Sequence, residues 1–287
     1  MGVDKLASEL EVILTRRIEA DQLVLPTMPA VALQVQGILD DEEAGMKEVA
    51  VALEKDPVLA ARVLKMATSA AFASVGKKPT LDAALARLGA KVIKGLLIEV
   101  AAQRLFVSRN SKINGQLKGL WEHSVAVGLL AREALTAAGG PDAEAAYLAG
   151  LLHDVGKPVV ATILLELERQ LTDVYQRNWI DSGEWLEVVG RVHKPVGLAL
   201  AEKWQLPEPI AACIKAKAYQ PEEKASSPNA VWFANALAKK AGIYLGRIDE
   251  AAESARIDEG VAVLGLPDGA VRRLTEGLRE RATGLYE

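Results

Sequence analysis

Apolar residues in this chain return every three or four positions along most of its length, a period that admits helices and little else. In TLDAALARLGAKVIKGLLIEV the stripe runs through Leu81, Leu85, Leu88, Val92 and Leu96, with Thr80 placed to cap the first turn. DPVLAARVLKMATSAAF carries it through Val58, Ala61, Val63–Leu64 and Ala67, with Asp56 as N-cap and Pro57 at the first helical position. WEHSVAVGLLAREALTAAG, DAEAAYLAGLLHD, VVATILLELERQL, KPVGLALAEKWQLP and EPIAACIKAKAY follow the same rule. No stretch alternates apolar and polar residues between hairpin turns, so no strand is predicted. Ala and Leu abound while aromatics make up only 5%, which again favours helix. The predicted fold class is all-α.

The balance of 50% hydrophobic and 25% charged residues over 287 positions supports one large domain or two modest ones. Net charge is -4 with Lys and Arg evenly spread, so no basic stripe announces a nucleic-acid groove. Cys213 stands alone, which excludes an internal disulfide and points to a reducing compartment. The N-terminal stretch is an amphipathic helix pattern without a secretory apolar core, and Leu6 removes a myristoylation signal. Charges cut every apolar run before bilayer length, so a soluble cytoplasmic protein with no membrane partner is expected. SRNSKINGQ is the most plausible boundary, dividing an N-terminal lobe over 1–108 from a second lobe with a helical tail over 109–287. Pro26 and Pro29 stiffen the segment ahead of the first lobe, and GGPD at 139–142 and PEEKASSPN are later breaks.

The chemistry concentrates in LLHDVGKPVV. His153–Asp154 has a plain structural reading, in which a helix ends at Asp154, Gly156 is its left-handed cap and Pro158 opens the next helix. The other histidines weigh against leaving it there. The chain holds three in all, His123, His153 and His193, each on or beside a strongly apolar helix, with His193 just ahead of the KPVGLALAEKW helix. Imidazole with carboxylate makes sites for Mn, Fe, Mg or Zn, and helices of a bundle can each give one ligand. Spacing alone does not make the three converge.

These motifs resemble a known family. GLLHDVGKPV with WEHS resembles the HD superfamily of metal-dependent phosphohydrolases. Taken in order with LPTMPAVALQVQGILDD, KDPVLAARVLKMATSAAF, LDAALARLGAKVIKGLLI and EVVGRVHKPVGLALAEKWQLPEPIAACIK, they resemble the HDOD proteins of bacterial signalling over about residues 20–215. The resemblance implies His123, His153 and Asp154 as ligands of a divalent ion, with His193 a further candidate. The later Asp of catalytic relatives falls on Asn235, a neutral amide that would weaken an ion's hold. The adjacent histidines of the cyclic-dinucleotide-cleaving branch fall on Lys217–Ala218, and that branch's Gly-Tyr-Pro is absent. Lys217 shares a helical face with Ile210 and Ile214, so it either turns into the pocket or snorkels to solvent. Lys157 is the candidate phosphate contact.

The expectation is a non-catalytic regulatory HDOD module with a degenerate metal site, at most one weakly bound divalent metal, and no confident catalytic residue. Its partners would be signalling proteins or a small ligand such as a nucleotide. The alternative is a metal-dependent phosphohydrolase acting on a nucleotide or phosphate ester. No Gly-rich phosphate loop is present, Cys213 sits on an apolar face as core, and Thr68 and Ser69 read as packing or capping groups.

Overall fold

Helix follows helix along the chain, and among the described residues none lies in a strand. The computed structural model describes residues 3–68, 79–175 and 182–283, with backbone alone at 3, 5, 6, 167–175, 182 and 183. In order the helices are α1 (Val3–Glu19), α2 (Ala30–Asp40), α3 (Met46–Leu53), α4 (Pro57–Ala67) and α5 (Leu81–Gln103). Then come α6 (Ser111–Ala137), α7 (Ala143–Leu152), α8 (Gly156–Tyr175), α9 (Ser182–Lys203) and α10 (Glu208–Lys215). The last are α11 (Ser227–Lys240), α12 (Glu250–Leu264), α13 (Ala270–Thr275) and α14 (Leu278–Thr283).

The helices form two compact units, one of Thr27–Arg104 and one of Met1–Pro26 with Leu105–Glu287. These limits differ from a cut at 108. SRNSKINGQ opens α6, with Asn110 as the cap accepting from Lys112 N at 2.9 Å. The first 26 residues count with the second unit because α1 packs on α9.

In the unit Thr27–Arg104, Leu59 and Val63 of α4 meet a core that includes Leu85, Ile93 and Leu97 of α5. Asp56 caps α4, accepting from Val58 N at 3.0 Å and Leu59 N at 3.2 Å, and Thr80 caps α5 through Ala83 N at 3.3 Å. Burial would raise the Asp56 carboxyl, but the Leu59 amide and the Arg104 guanidinium hold it below its ordinary value. The α5 stripe reads as continuous in sequence, yet Gly89 at φ 74 breaks it into two helical segments. Thr68 Oγ1 donates to Leu64 O at 3.1 Å, a helix-end group as expected, while Ser69 lies outside the described residues.

In the second unit, α6 is the central strut. It packs on α7 and α11, with α13 and α14 against it as well. Gly150 lets α7 approach closely, since a Cβ there would stand 2.8 Å from Gly128 Cα of α6. Trp204 at the end of α9 is buried, donating from Nε1 to Pro26 O at 3.0 Å. The tail packs back as helices. α12 lies on α11 through buried Glu253, which pairs with Lys239 at 3.0 Å and Arg256 at 2.6 Å. Arg279 Nη2 donates to Gly242 O at 2.8 Å, and Arg281 pairs with Glu133 of α6.

One stretch, Ala143–Glu166, is long and apolar enough to cross a bilayer, against the expectation that charges interrupt every such run. It contains the α7–α8 turn, and 78% of its most apolar window is buried inside the protein, as core helices are.

Candidate functional site

The turn between α7 and α8 carries the chemistry and is kept tight by a glycine. Gly156 does not have a positive φ and caps nothing. It is the first residue of α8. A Cβ on Gly156 would stand 2.0 Å from His193 O and 2.7 Å from Gly197 N, so the residue is there to let α8 touch the backbone of α9. α9 in turn does not begin near Lys194–Pro195 but at Ser182, with Pro195 inside it. His193 is therefore a mid-helix residue held directly against the His153–Asp154 turn.

The three histidines do converge. His123 Nε2, His153 Nε2 and His193 Nε2 lie 4.0, 3.2 and 3.0 Å from the Asp154 carboxylate. Ligand atoms of His123, His153 and Asp154 all fall within 4.8 Å of one another. Every imidazole is oriented the same way. Nδ1 of His123 meets Ile243 O, Nδ1 of His153 meets Gly150 O and Nδ1 of His193 meets Gly190 O, each at 2.7 Å. A carbonyl only accepts, so each Nδ1 carries the proton and each Nε2 presents a lone pair. All three Nε2 atoms are buried without a hydrogen-bond partner. Lone pairs aimed at a carboxylate repel it unless a cation lies between them.

The cation on Asp154 is the Lys157 ammonium, itself buried. Burial would raise the Asp154 carboxyl, yet the positive charge around it, the paired Lys157 ammonium included, holds it well below the ordinary value, so it is ionised. Burial, with His153 and Lys157 adding to it, pushes His123 down to about 3, so that ring is neutral. The Nε2 lone pairs of His123 and His153 with the Asp154 carboxylate could hold a single divalent ion, which would share Asp154 with Lys157 or displace it, while His193 reaches the other carboxylate oxygen. Such an ion, when bound, supplies Lewis acidity and an acidic bound water. The residues do not fit a two-metal centre.

The remaining sequence candidates divide. Asn235 lies on α11 between Trp232 and Lys239, one helical turn from each, and its Oδ1 is buried without a partner. Lys217 does not enter the pocket: α10 ends at Lys215, which breaks the face shared with Ile210 and Ile214, and Lys217 is exposed. Cys213 is buried core, its thiol pushed up to about 12 by burial.

Sequence reasoning missed Lys194 and Tyr244. Lys194 Nζ donates to Ala216 O at 2.5 Å and lies 5.9 Å from the Trp232 ring. Burial, with Lys217 and Lys157 adding to it, lowers its pKa against the pull of Asp154. Tyr244 packs edge-on against His123, ring centroids 5.3 Å apart, with Lys157 Nζ at 5.6 Å and Lys239 Nζ at 5.2 Å from its own ring. Lys194 was signalled only by its neighbour His193. Nothing near Tyr244 in the sequence marks it.

An all-α bundle with an imidazole–carboxylate cluster at a His–Asp turn defines a protein of HD type. The chain belongs to the HDOD family, the HDOD domain matching residues 25–220. A Shewanella amazonensis structure named provisionally as a metal-dependent phosphohydrolase is 22% identical with a TM-score of 0.72, covering 96% of this chain and 99% of that one. An HDOD domain protein of unknown function from Geobacter sulfurreducens is 24% identical with a TM-score of 0.64, covering 97% and 99%. At these identities the likeness establishes the fold alone. An uncharacterized protein of Treponema pallidum (strain Nichols) is 27% identical over 216 residues, 74% of this chain but only 41% of that relative's length. Asn235, Ile243 and Tyr244 all lie beyond the family match.

Proposed function

We propose that this chain is a regulatory module of bacterial signal transduction, cytoplasmic, whose HD-type site binds a small ligand or a partner without hydrolysing a phosphate ester. The observation that carries this reading is that Lys157 already neutralises Asp154, the one carboxylate in the cluster. A hydrolytic centre needs anionic oxygens to hold its ions, and the later position that would add one is Asn235. The resemblance to signalling HDOD proteins supplies the biological role. A structure named provisionally as a signal transduction protein, from Marinobacter aquaeolei, is also similar, at 24% identity and a TM-score of 0.57.

The test is metal analysis of the purified protein followed by phosphatase and phosphodiesterase assays with added Mn or Mg. The expected result is at most one readily chelated ion per chain and no turnover. Turnover that disappears in His153→Ala would replace this reading with the second one, a metal-dependent phosphohydrolase acting on a nucleotide or phosphate ester. That second reading draws on the three Nε2 atoms, which are oriented as ligands and lack partners.

A further inference from the structure

We infer a separate anion subsite on the rim of the HD-type site, in which Lys194 and Lys217 bind a phosphate-bearing anion without a metal. It stands or falls apart from what the imidazoles hold. Lys194 leaves α9 beside His193, and its bond to Ala216 O anchors the ammonium at the segment that carries Lys217. An ammonium has three N–H donors, so two remain after that bond.

Neither lysine has a carboxylate partner among the described residues. The third ammonium nearby, Lys157, is already engaged with Asp154. Half-buried Lys194 thus lies among two other ammonium groups, Lys217 and Lys157, with Asp154 the carboxylate that acts on it. An ammonium partly removed from water beside like charges is costly until an anion arrives. A dianion or trianion matches two unpaired cations, whereas a monoanion leaves one over.

Trp232, 5.9 Å from Lys194 Nζ, gives a local reporter. The full chain is titrated in excess EDTA with inorganic phosphate, pyrophosphate and ADP, with acetate as the monoanion control, by calorimetry and tryptophan fluorescence. Pyrophosphate is expected to bind saturably and to change the emission, and the change is expected to vanish in Trp232→Phe. Free phosphate binding alone, or ADP binding alone, identifies which source of the anion is taken. Lys217→Ala, an exposed change that preserves the fold, and the double variant Lys194→Ala/Lys217→Ala are expected to weaken binding about tenfold or more. Lys215→Ala, which removes a charge two residues from Lys217, is expected to change nothing. Failure of every phosphoanion to bind in EDTA overturns the inference. So does equal affinity in the double variant, or an emission change that persists in Trp232→Phe.

Discussion

On the α6 and α7–α8 side of the site, His123, His153 and Asp154 keep the imidazoles and carboxylate of an ion cage, all buried. On the α9 side only His193 is of that kind, with half-buried Lys194 beside it and exposed Lys217 on the segment that Lys194 bonds. The two sides share one scaffold, so the difference lies in side-chain chemistry and not in backbone. The ligand-rich side is locked by carbonyl bonds to both its Nδ1 atoms, whereas the cationic side, where His193 is bonded likewise, opens toward solvent through half-buried Lys194 and exposed Lys217. A site can therefore keep the geometry of an ion cage while its charge balance is rewritten for another occupant.

Three perturbations test how far this contrast goes. The largest effect is expected at the seam that holds the two sides together. Gly156→Ala puts a methyl 2.0 Å from His193 O and should cost about 3 kcal/mol or more in urea unfolding. Gly190→Ala on α9 meets nothing within 4 Å and should be neutral or stabilise by up to about 1 kcal/mol. Equal losses from the two changes would remove the seam from the account.

Acid should then act through the buried side. His123 is neutral in the fold, with its pKa down at about 3, but takes a proton near its ordinary value when unfolded. The unfolded chain binds the extra proton, so stability is complete above about pH 6.5 and falls toward pH 4 by up to about 1.4 kcal/mol per unit. His123→Gln should flatten that slope by about one proton. An unchanged slope in the variant assigns the acid sensitivity elsewhere.

The smallest change converts one side toward the other. Asn235→Asp supplies the missing anionic oxygen and should tighten Mn or Zn binding by about tenfold in a calorimetric titration against the parent protein. No change would place Asn235 outside the coordination sphere.

Much of the fold was legible because periodicity and caps are local. The stripes, the Asp56 and Thr80 caps, and a helical tail all follow from side chains within a turn of each other. The same holds for His153, Asp154 and Lys157, which share one turn. What sequence left hidden depends on distant backbone. Gly156 was open to reading as a cap because a glycine's role against α9 is set by a partner helix 40 positions away. Pro195 suggested a helix start, yet a proline keeps helical φ and loses only a donor, so it marks starts and interiors alike. Lys217 shared a stripe with Ile210 and Ile214 only on the assumption that α10 ran past Lys215.

The bond from His123 Nδ1 to Ile243 O spans 120 positions. The residue that fixes which nitrogen of His123 is protonated thus sits 23 places beyond the end of the family match at 220. A fragment trimmed to the region of sequence likeness would leave that ring free to switch tautomers and would discard Asn235 and Tyr244 with it. The smallest piece of this protein that poises its own central histidine is longer than the domain by which it is recognised.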